Sequence, residues 1–270
     1  MKKTAPKTSK SLKTFYLYTC IVLTVIVIAL ASKIFFIIAQ SKVDTSHNFT
    51  FAITQQQKVK EIVSFHPQTP SVTVLVIQDK NIPYDTLARD YGISTDGYIQ
   101  VDSTTRPSSD MTAFLWSALS HAAVWQSNLT AFDKIRLLLL AKSVAQNNRI
   151  VEHISLIHQS ANSNTILANA LADQDIANEN VSIQIINATT ISGFGLRLSR
   201  VLTNMGANVI DVSTAQNTQT KTTITYYGND SYTLERLQKL LHVQATKMSR
   251  QSIADIVITL GKDKSNTKVF

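Results

Sequence analysis

Residues Phe15 to Ala39 form an almost uninterrupted apolar run behind a tail carrying Lys2, Lys3, Lys7, Lys10 and Lys13. At about 1.5 Å of rise per residue, a helix of this length crosses the ~30 Å hydrocarbon core of a bilayer. No acid precedes the run, so the positive-inside rule keeps the basic tail, residues 1–14, in the cytoplasm and puts everything after Gln40 outside. Lys33 lies near the outer end, where a long side chain snorkels to the headgroups. Ala29-Leu30-Ala31 before Ser32 also has the small-residue form of a signal-peptidase site. Cleavage there would leave a mature chain starting Ser-Lys-Ile-Phe-Phe-Ile-Ile, an unusually greasy beginning, and a retained anchor at 15–39 is the expectation. Cys20 stands too early in the apolar run to accept a lipoprotein lipid.

Cys20 is also the only cysteine. The remainder therefore has no disulfide, thiol nucleophile or cysteine metal site, and apolar burial alone must close its cores. The formal charge of +8 is uneven. Residues 181–270 carry ten Lys/Arg against five Asp/Glu, whereas residues 15–180 are slightly acidic. An outward-facing basic unit suits anionic wall polymers or lipid headgroups, and a merely solvated basic surface has the same composition. Nucleic acid is excluded as a partner, because no reading domain fits within so short a cytoplasmic tail.

The expected fold class is α/β of the α+β kind: one transmembrane helix, a mixed α/β segment at 41–171, and a C-terminal β-α-β-β-α-β unit at 181–263. In the middle segment, Ser41 to Pro70 reads as polar and irregular with one strand near Phe49–Ile53, Ser71–Ile77 as a buried strand, and Tyr98–Val101 as a strand entered through the Asp96-Gly97 turn. Leu115, Ala118, Leu119 and Ala122 mark a helix from Met111 to about Trp125. A second helix runs from Ala131 to about Gln146, with Thr130 and Asp133 in the places of a capping box and Leu137 to Leu140 buried on more than one side. Less regular helix is expected from Ile150 to about Leu171. The polar stretch Ala172 to Asn180 reads as a linker, and 264–270 as a basic tail.

In the last ninety residues, Val181–Ile186, Asn208–Val212, Thr222–Tyr227 and Ala254–Leu260 read as strands. Leu198, Val201, Leu202 and Met205 mark one helix, stopped by Gly206, and Leu234, Leu237, Leu240 and Leu241 mark the other. The string suggests a split βαβ arrangement, one sheet with both helices on one face.

Val-Ser-Ile-Gln-Ile-Ile-Asn-Ala-Thr at 181–189, Gly193-Phe-Gly195, Met205-Gly206-Ala-Asn-Val209, Thr222-Thr-Ile-Thr-Tyr226 and Ile256-Val-Ile-Thr-Leu-Gly261-Lys-Asp263 follow in order. Residues 180–263 thereby resemble the LytR C-terminal domain of cell-envelope proteins of the LytR-CpsA-Psr type. The resemblance implies a bacterial, surface-exposed accessory domain without established catalytic residues. It also implies that a phosphotransferase domain can precede it, moving wall glycopolymers from a polyprenyl pyrophosphate carrier to peptidoglycan. Such a site needs clustered arginines and Mg²⁺-holding acids. Residues 41–172 offer only Arg89, Arg106, Arg136 and Arg149, widely scattered, and the one compact group is Arg106 with Asp102 and Asp110. Its bland alternative is a solvated loop with an acidic N-cap. The expectation is a degenerate or replaced catalytic region in a non-catalytic binding protein; the competing expectation is a diverged, Mg²⁺-dependent phosphotransferase.

Gly193-Phe-Gly195-Leu-Arg-Leu198 opens a helix after a strand, and Asp211 lies eighteen residues beyond Gly193, superficially a dinucleotide fingerprint. Leu198 fills the third small position, so no cofactor is expected. Gly193 and Gly195 serve a tight turn and close helix packing, or else their N–H groups, with Arg197 and Arg200, hold a phosphate or carboxylate of a wall polymer. His153 and His158 are five apart and do not stack on one helix face, so no metal site is expected.

Overall fold

The structure, a computed structural model, describes residues 9–102, 110–122, 124–158, 161–249 and 252–265. Helix α1 (Ser9–Ala39) contains the apolar stretch Phe15–Ala39, whose mean hydropathy is 2.8 and which packs against almost nothing. It is long and apolar enough to cross a membrane. The first eight residues of the basic tail lie outside the described residues.

The middle segment is built on one six-stranded sheet. Strands β1 (Phe49–Gln55) and β2 (Lys58–His66) form a hairpin, β3 (Ser71–Ile77) continues it antiparallel, and β4 (Gly97–Val101) runs parallel to β1 on the other side. The stretch expected to be irregular therefore contains a nine-residue strand. Its turn is Gln56-Gln57, with φ of 51° and 63°. Two left-handed residues in succession give the reversed turn that matches strand twist, but here without the Asn or Gly that usually announces it.

Helix α2 (Leu87–Tyr91) precedes β4, and α3 (Met111–Ser120) follows it, shorter than expected. The two-residue strand β5 (Gln126–Ser127) leads into α4 (Ala131–Ser143), which opens on the expected capping box of Thr130 and Asp133. Leu137 and Leu138 are buried whereas Leu139 is 61% exposed, so the leucine run is less enclosed than expected. The predicted helix from Ile150 is in fact strand β6 (Arg149–Ile154), parallel to β3 from Val72↔Arg149 to Ile77↔Ile154. Its β-branched residues suit a pleated surface, and β3 otherwise presents an unpaired edge. Helix starts only at α5 (Ala161–Leu171). The order is β5-β4-β1-β2-β3-β6. Phe51, Ile53, Val63 and Ile99 pack with α3 and α4 on one face; Ala52, Ile62 and Leu75 pack with α2 and α5 on the other.

The expected linker also folds. Helix α6 (Gln174–Glu179) is capped by Asp173, whose carboxylate accepts from Asp175 N at 3.1 Å. Beyond it, β7 (Ser182–Asn187), α7 (Phe194–Asn204), β8 (Asn208–Thr214), β9 (Thr223–Tyr226), α8 (Tyr232–Leu241), β10 (Ala245–Lys247) and β11 (Ile256–Leu260) form the second unit. Its sheet order is β10-β9-β11-β7-β8. Both helices cover the face carrying Ile183, Ile185, Ile224, Ile256 and Ile258, as expected. The topology is not the split arrangement. β7 and β8 are parallel neighbours, β9 and β10 are parallel neighbours, and β11 enters between the two pairs. Each helix thus joins adjacent strands. The short strand β10 had no sequence signal.

Two of the buried carboxyls, with opposite shifts, contribute to the pH dependence of this fold. Asp133 is completely buried, and its oxygens accept from Ser41 Oγ (2.6 Å), Lys42 N (2.8 Å), Val43 N (3.0 Å), Thr130 N (2.8 Å) and Thr130 Oγ1 (2.8 Å). Burial alone would raise its pKa, but these donors outweigh it and hold the group below the usual carboxylate range. Glu61 is buried between Ile53 and Val76, its Oε2 has no partner among the described residues, and burial pushes its pKa up to about 7.

For Asp133, stability is present above the unfolded pKa of about 3.9 and lost as pH falls through the lowered folded value. Asp133→Ala strands several donors, and a loss of about 2–4 kcal/mol is expected in thermal melts of the detergent-solubilised chain at pH 7. An unchanged melt would show that the cluster contributes nothing. For Glu61 the sign reverses: the folded state binds the proton more tightly, so stability falls as pH rises from about 4.3 to about 7. Glu61→Gln should flatten that part of the melting-temperature profile, and a profile identical to the parent's contradicts the assignment.

Candidate functional site

The two units meet through polar groups on α8, α7 and α6. Glu179, the last residue of α6, accepts from Tyr232 N (2.8 Å), Thr233 N (2.7 Å) and Thr233 Oγ1 (2.6 Å), the unfilled donors of the first turn of α8. Burial works to raise the Glu179 pKa, but these hydrogen bonds lower it on balance. One turn further on, Arg236 Nη1 donates to Asp96 Oδ1 at 3.1 Å, while Asp96 Oδ2 accepts from Thr50 N at 2.9 Å. Burial opposes the Arg236 charge, yet the adjacent Asp96 more than compensates and its pKa is raised. Tyr232 Oη donates to the buried Asp173 at 2.8 Å, and the Tyr232 ring stacks on His47 with centroids 4.0 Å apart. Burial raises the pKa of both Asp173 and Tyr232, so the phenol keeps its proton and the bond persists at neutral pH.

On the other flank, Asn204 Nδ2 donates to Gly92 O (2.8 Å), Arg200 Nη1 to Asp90 O (3.1 Å) and Asp173 N to Met205 O (3.0 Å). Gly206, at φ 90°, closes this contact: a Cβ there would sit 3.2 Å from Asp173 O.

Between these ties lies a cleft of about 580 Å³. Lys42, Asp44 and His47 come from the segment just after α1, Tyr84 and Asp96 from the middle unit, and Arg236, Lys239 and His242 from α8 and its end. Phe49, Leu87, Ile93, Met205 and Leu240 supply apolar wall. Arg236 Nε is buried and has no hydrogen-bond partner among the described residues. Among the described residues, Lys239 pairs with Glu235 one turn earlier, at 2.7 Å and well exposed. This is a mixed apolar and polar groove lined by three cations, of which Arg236 is held in place, suited to a ligand with anionic groups on a less polar backbone.

The residues singled out from sequence stand elsewhere. Asp110 is the N-cap of α3, accepting from Thr112 N and Ala113 N, which accounts for that one carboxylate. Asp102 is exposed and its carbonyl accepts from Gln55 Nε2 at 3.2 Å. Arg106 lies outside the described residues. Gly193 is the left-handed N-cap of α7 (φ 72°), with open space where a Cβ would stand. Gly195 packs closely, a Cβ meeting Val212 Cγ1 at 3.0 Å. Arg200 is committed to the junction, and none of Gly193, Gly195, Arg197 and Arg200 lines the cleft. Asp211 accepts from Gln184 Nε2 at 2.9 Å. Among the described residues no three His, Cys, Asp or Glu side chains are grouped to hold a metal ion.

Sequence reasoning missed the cleft. One signal was available: Thr233, Arg236 and Leu240 share a helix face, which sets an arginine in line with inward-facing residues.

No curated protein matches this chain. Among solved structures, one described as the transcriptional regulator yvhJ from Bacillus subtilis aligns over 41% of this chain and 82% of its own, at 10% identity and a TM-score of 0.29. Another, described as the transcriptional factor Lmo1026 from Listeria monocytogenes, aligns over 73% and 97%, at 10% identity and a TM-score of 0.19. Residues 180–263, from the residue after α6 to just past β11, match the LytR_C family model, described as LytR cell envelope-related transcriptional attenuator, and the C-terminal unit is accordingly a domain of LytR C-terminal type.

Proposed function

We propose that this is a single-pass cell-envelope protein, N-terminus cytoplasmic, whose exported body binds an anionic wall polymer or an envelope partner without catalysing its conversion. The observation that carries this reading is the cleft, to which the membrane-proximal segment, the middle unit and the LytR-type unit all contribute. Lys42, Arg236 and Lys239 supply charge for phosphate or carboxylate groups, and the apolar wall supplies contact for the ligand's backbone. Arg236 is already half-neutralised by Asp96, so Lys42 and Lys239 are the cations most open to a ligand. The lysine-rich tail and the family match of the C-terminal unit support the topology and the envelope setting.

The purified chain in detergent should sediment with insoluble cell wall, with binding that weakens as salt rises. Lys42→Glu with Lys239→Glu, both exposed positions, should reduce that binding at low salt about tenfold or more while lowering the thermal melt only slightly, through the lost Glu235 pair. Binding no better than an unrelated basic domain, or indifferent to the double replacement, would defeat the proposal. Protease added to intact cells should degrade everything beyond residue 40; a protected bulk would invert the topology.

A further inference from the structure

We propose that the outward face of α4, carrying Ile135 and Leu139, rests in the headgroup region of the same bilayer that α1 spans, so that the exported body lies against the membrane. This rests on the anchor reading above.

The placement follows from how α4 is tied to the span. The two helices touch directly. Among the described residues of the span, Ile37 alone is partly buried, and it belongs to the last turn of α1. Backbone bonds from Gln40 N to Phe36 O and from Ser41 N to Ile38 O carry the helical path one step past α1. Ser41, Lys42 and Val43 are then held at once by α4: Asp133 accepts from all three, and Arg136 Nη1 donates to Val43 O at 2.6 Å. A few residues of chain span at most about 3.5 Å each, so the first turns of α4 stay within roughly 10 Å of the point where the span ends.

The exposure of α4 fits that position. Leu137, Leu138 and Ala141 face the sheet; Ala131, Ile135 and Leu139 face away at i, i+4 and i+8, with Ile135 43% and Leu139 61% exposed. Lys42 stands exposed beside the start of the helix and Lys142 is exposed in its last turn. An exposed apolar strip flanked by cations suits the boundary between acyl chains and anionic headgroups. Trp116, 62% exposed on the neighbouring α3, is a residue type favoured at the same depth. A protein partner could cover such a stripe, but the chain already tethers it to α1, and so to the bilayer, at this distance.

The test uses the full chain with Cys20→Ala, reconstituted into phosphatidylcholine/phosphatidylglycerol vesicles containing a lipid with a shallow doxyl quencher. A nitrobenzoxadiazole label is placed at Leu139→Cys or, as a control on the C-terminal unit, at the 72% exposed Ile253→Cys. Quenching at position 139 at least threefold above position 253 is the expected result, and adding Ile135→Asp should lower it without shifting the melt. Equal quenching at the two sites, or a label at 139 shielded only after envelope proteins are added, overturns the proposal while leaving the anchor intact. A chain that does not float with the vesicles overturns the anchor reading and this inference together.

Discussion

The carboxylate of Asp133 accepts five hydrogen bonds, and the position of the folded body relative to α1 depends on it. Two come from Thr130 and close the N-terminus of α4; three come from Ser41, Lys42 and Val43, the first residues after the span. One side chain thus starts a helix and fixes the direction in which the chain leaves α1. An amide in its place would present an NH₂ group to an array made only of donors. A charged acceptor is therefore required here, and burial is tolerable because the charge is fully hydrogen-bonded.

The joint between the units follows the same logic at lower charge density. Arg236 with Asp96, Tyr232 with Asp173, and Glu179 with the start of α8 are each geometrically demanding and partly or wholly buried. Removing one partner would leave the other desolvated and unmatched, which costs more than the bond contributes. Apolar packing alone would tolerate sliding between the units. These pairs select one arrangement, and the cleft exists only in that arrangement.

The sequence made the local elements legible where one periodicity dominated. α7, α8 and the strands around Ile183, Ile224 and Ile258 carry clean spacing, and Thr130 with Asp133 announced a cap whose geometry the structure reproduces. What failed was either non-local or carried by an atypical residue. The placement of β11 between β9 and β7 leaves the alternation of every strand unchanged, so no pattern within the strands distinguishes it from the split order. The hairpin at Gln56-Gln57 used residues that rarely accept positive φ, and β6 was masked by neighbours compatible with helix. The cleft was invisible because Lys42, Asp96 and Arg236 come together only after both sheets form. Asp96 looked like an ordinary turn residue.

The surplus of positive charge in the last ninety residues overstates what a ligand would meet. Arg236 pairs with the Asp96 carboxylate and Arg200 donates to the Asp90 backbone carbonyl across the junction, so part of that surplus holds the protein together. Lys239 is different: its pairing with Glu235 is a solvent-exposed i,i+4 contact, of a kind that stabilises by roughly 0.3–0.5 kcal/mol. An anionic group entering the cleft could displace that contact at little cost, whereas displacing Asp96 from Arg236 would break the joint that shapes the cleft. On the proposed reading, ligand contact and structural integrity therefore fall to different cations only one turn apart on α8, and it is the exposed, loosely held Lys239 that remains adjustable.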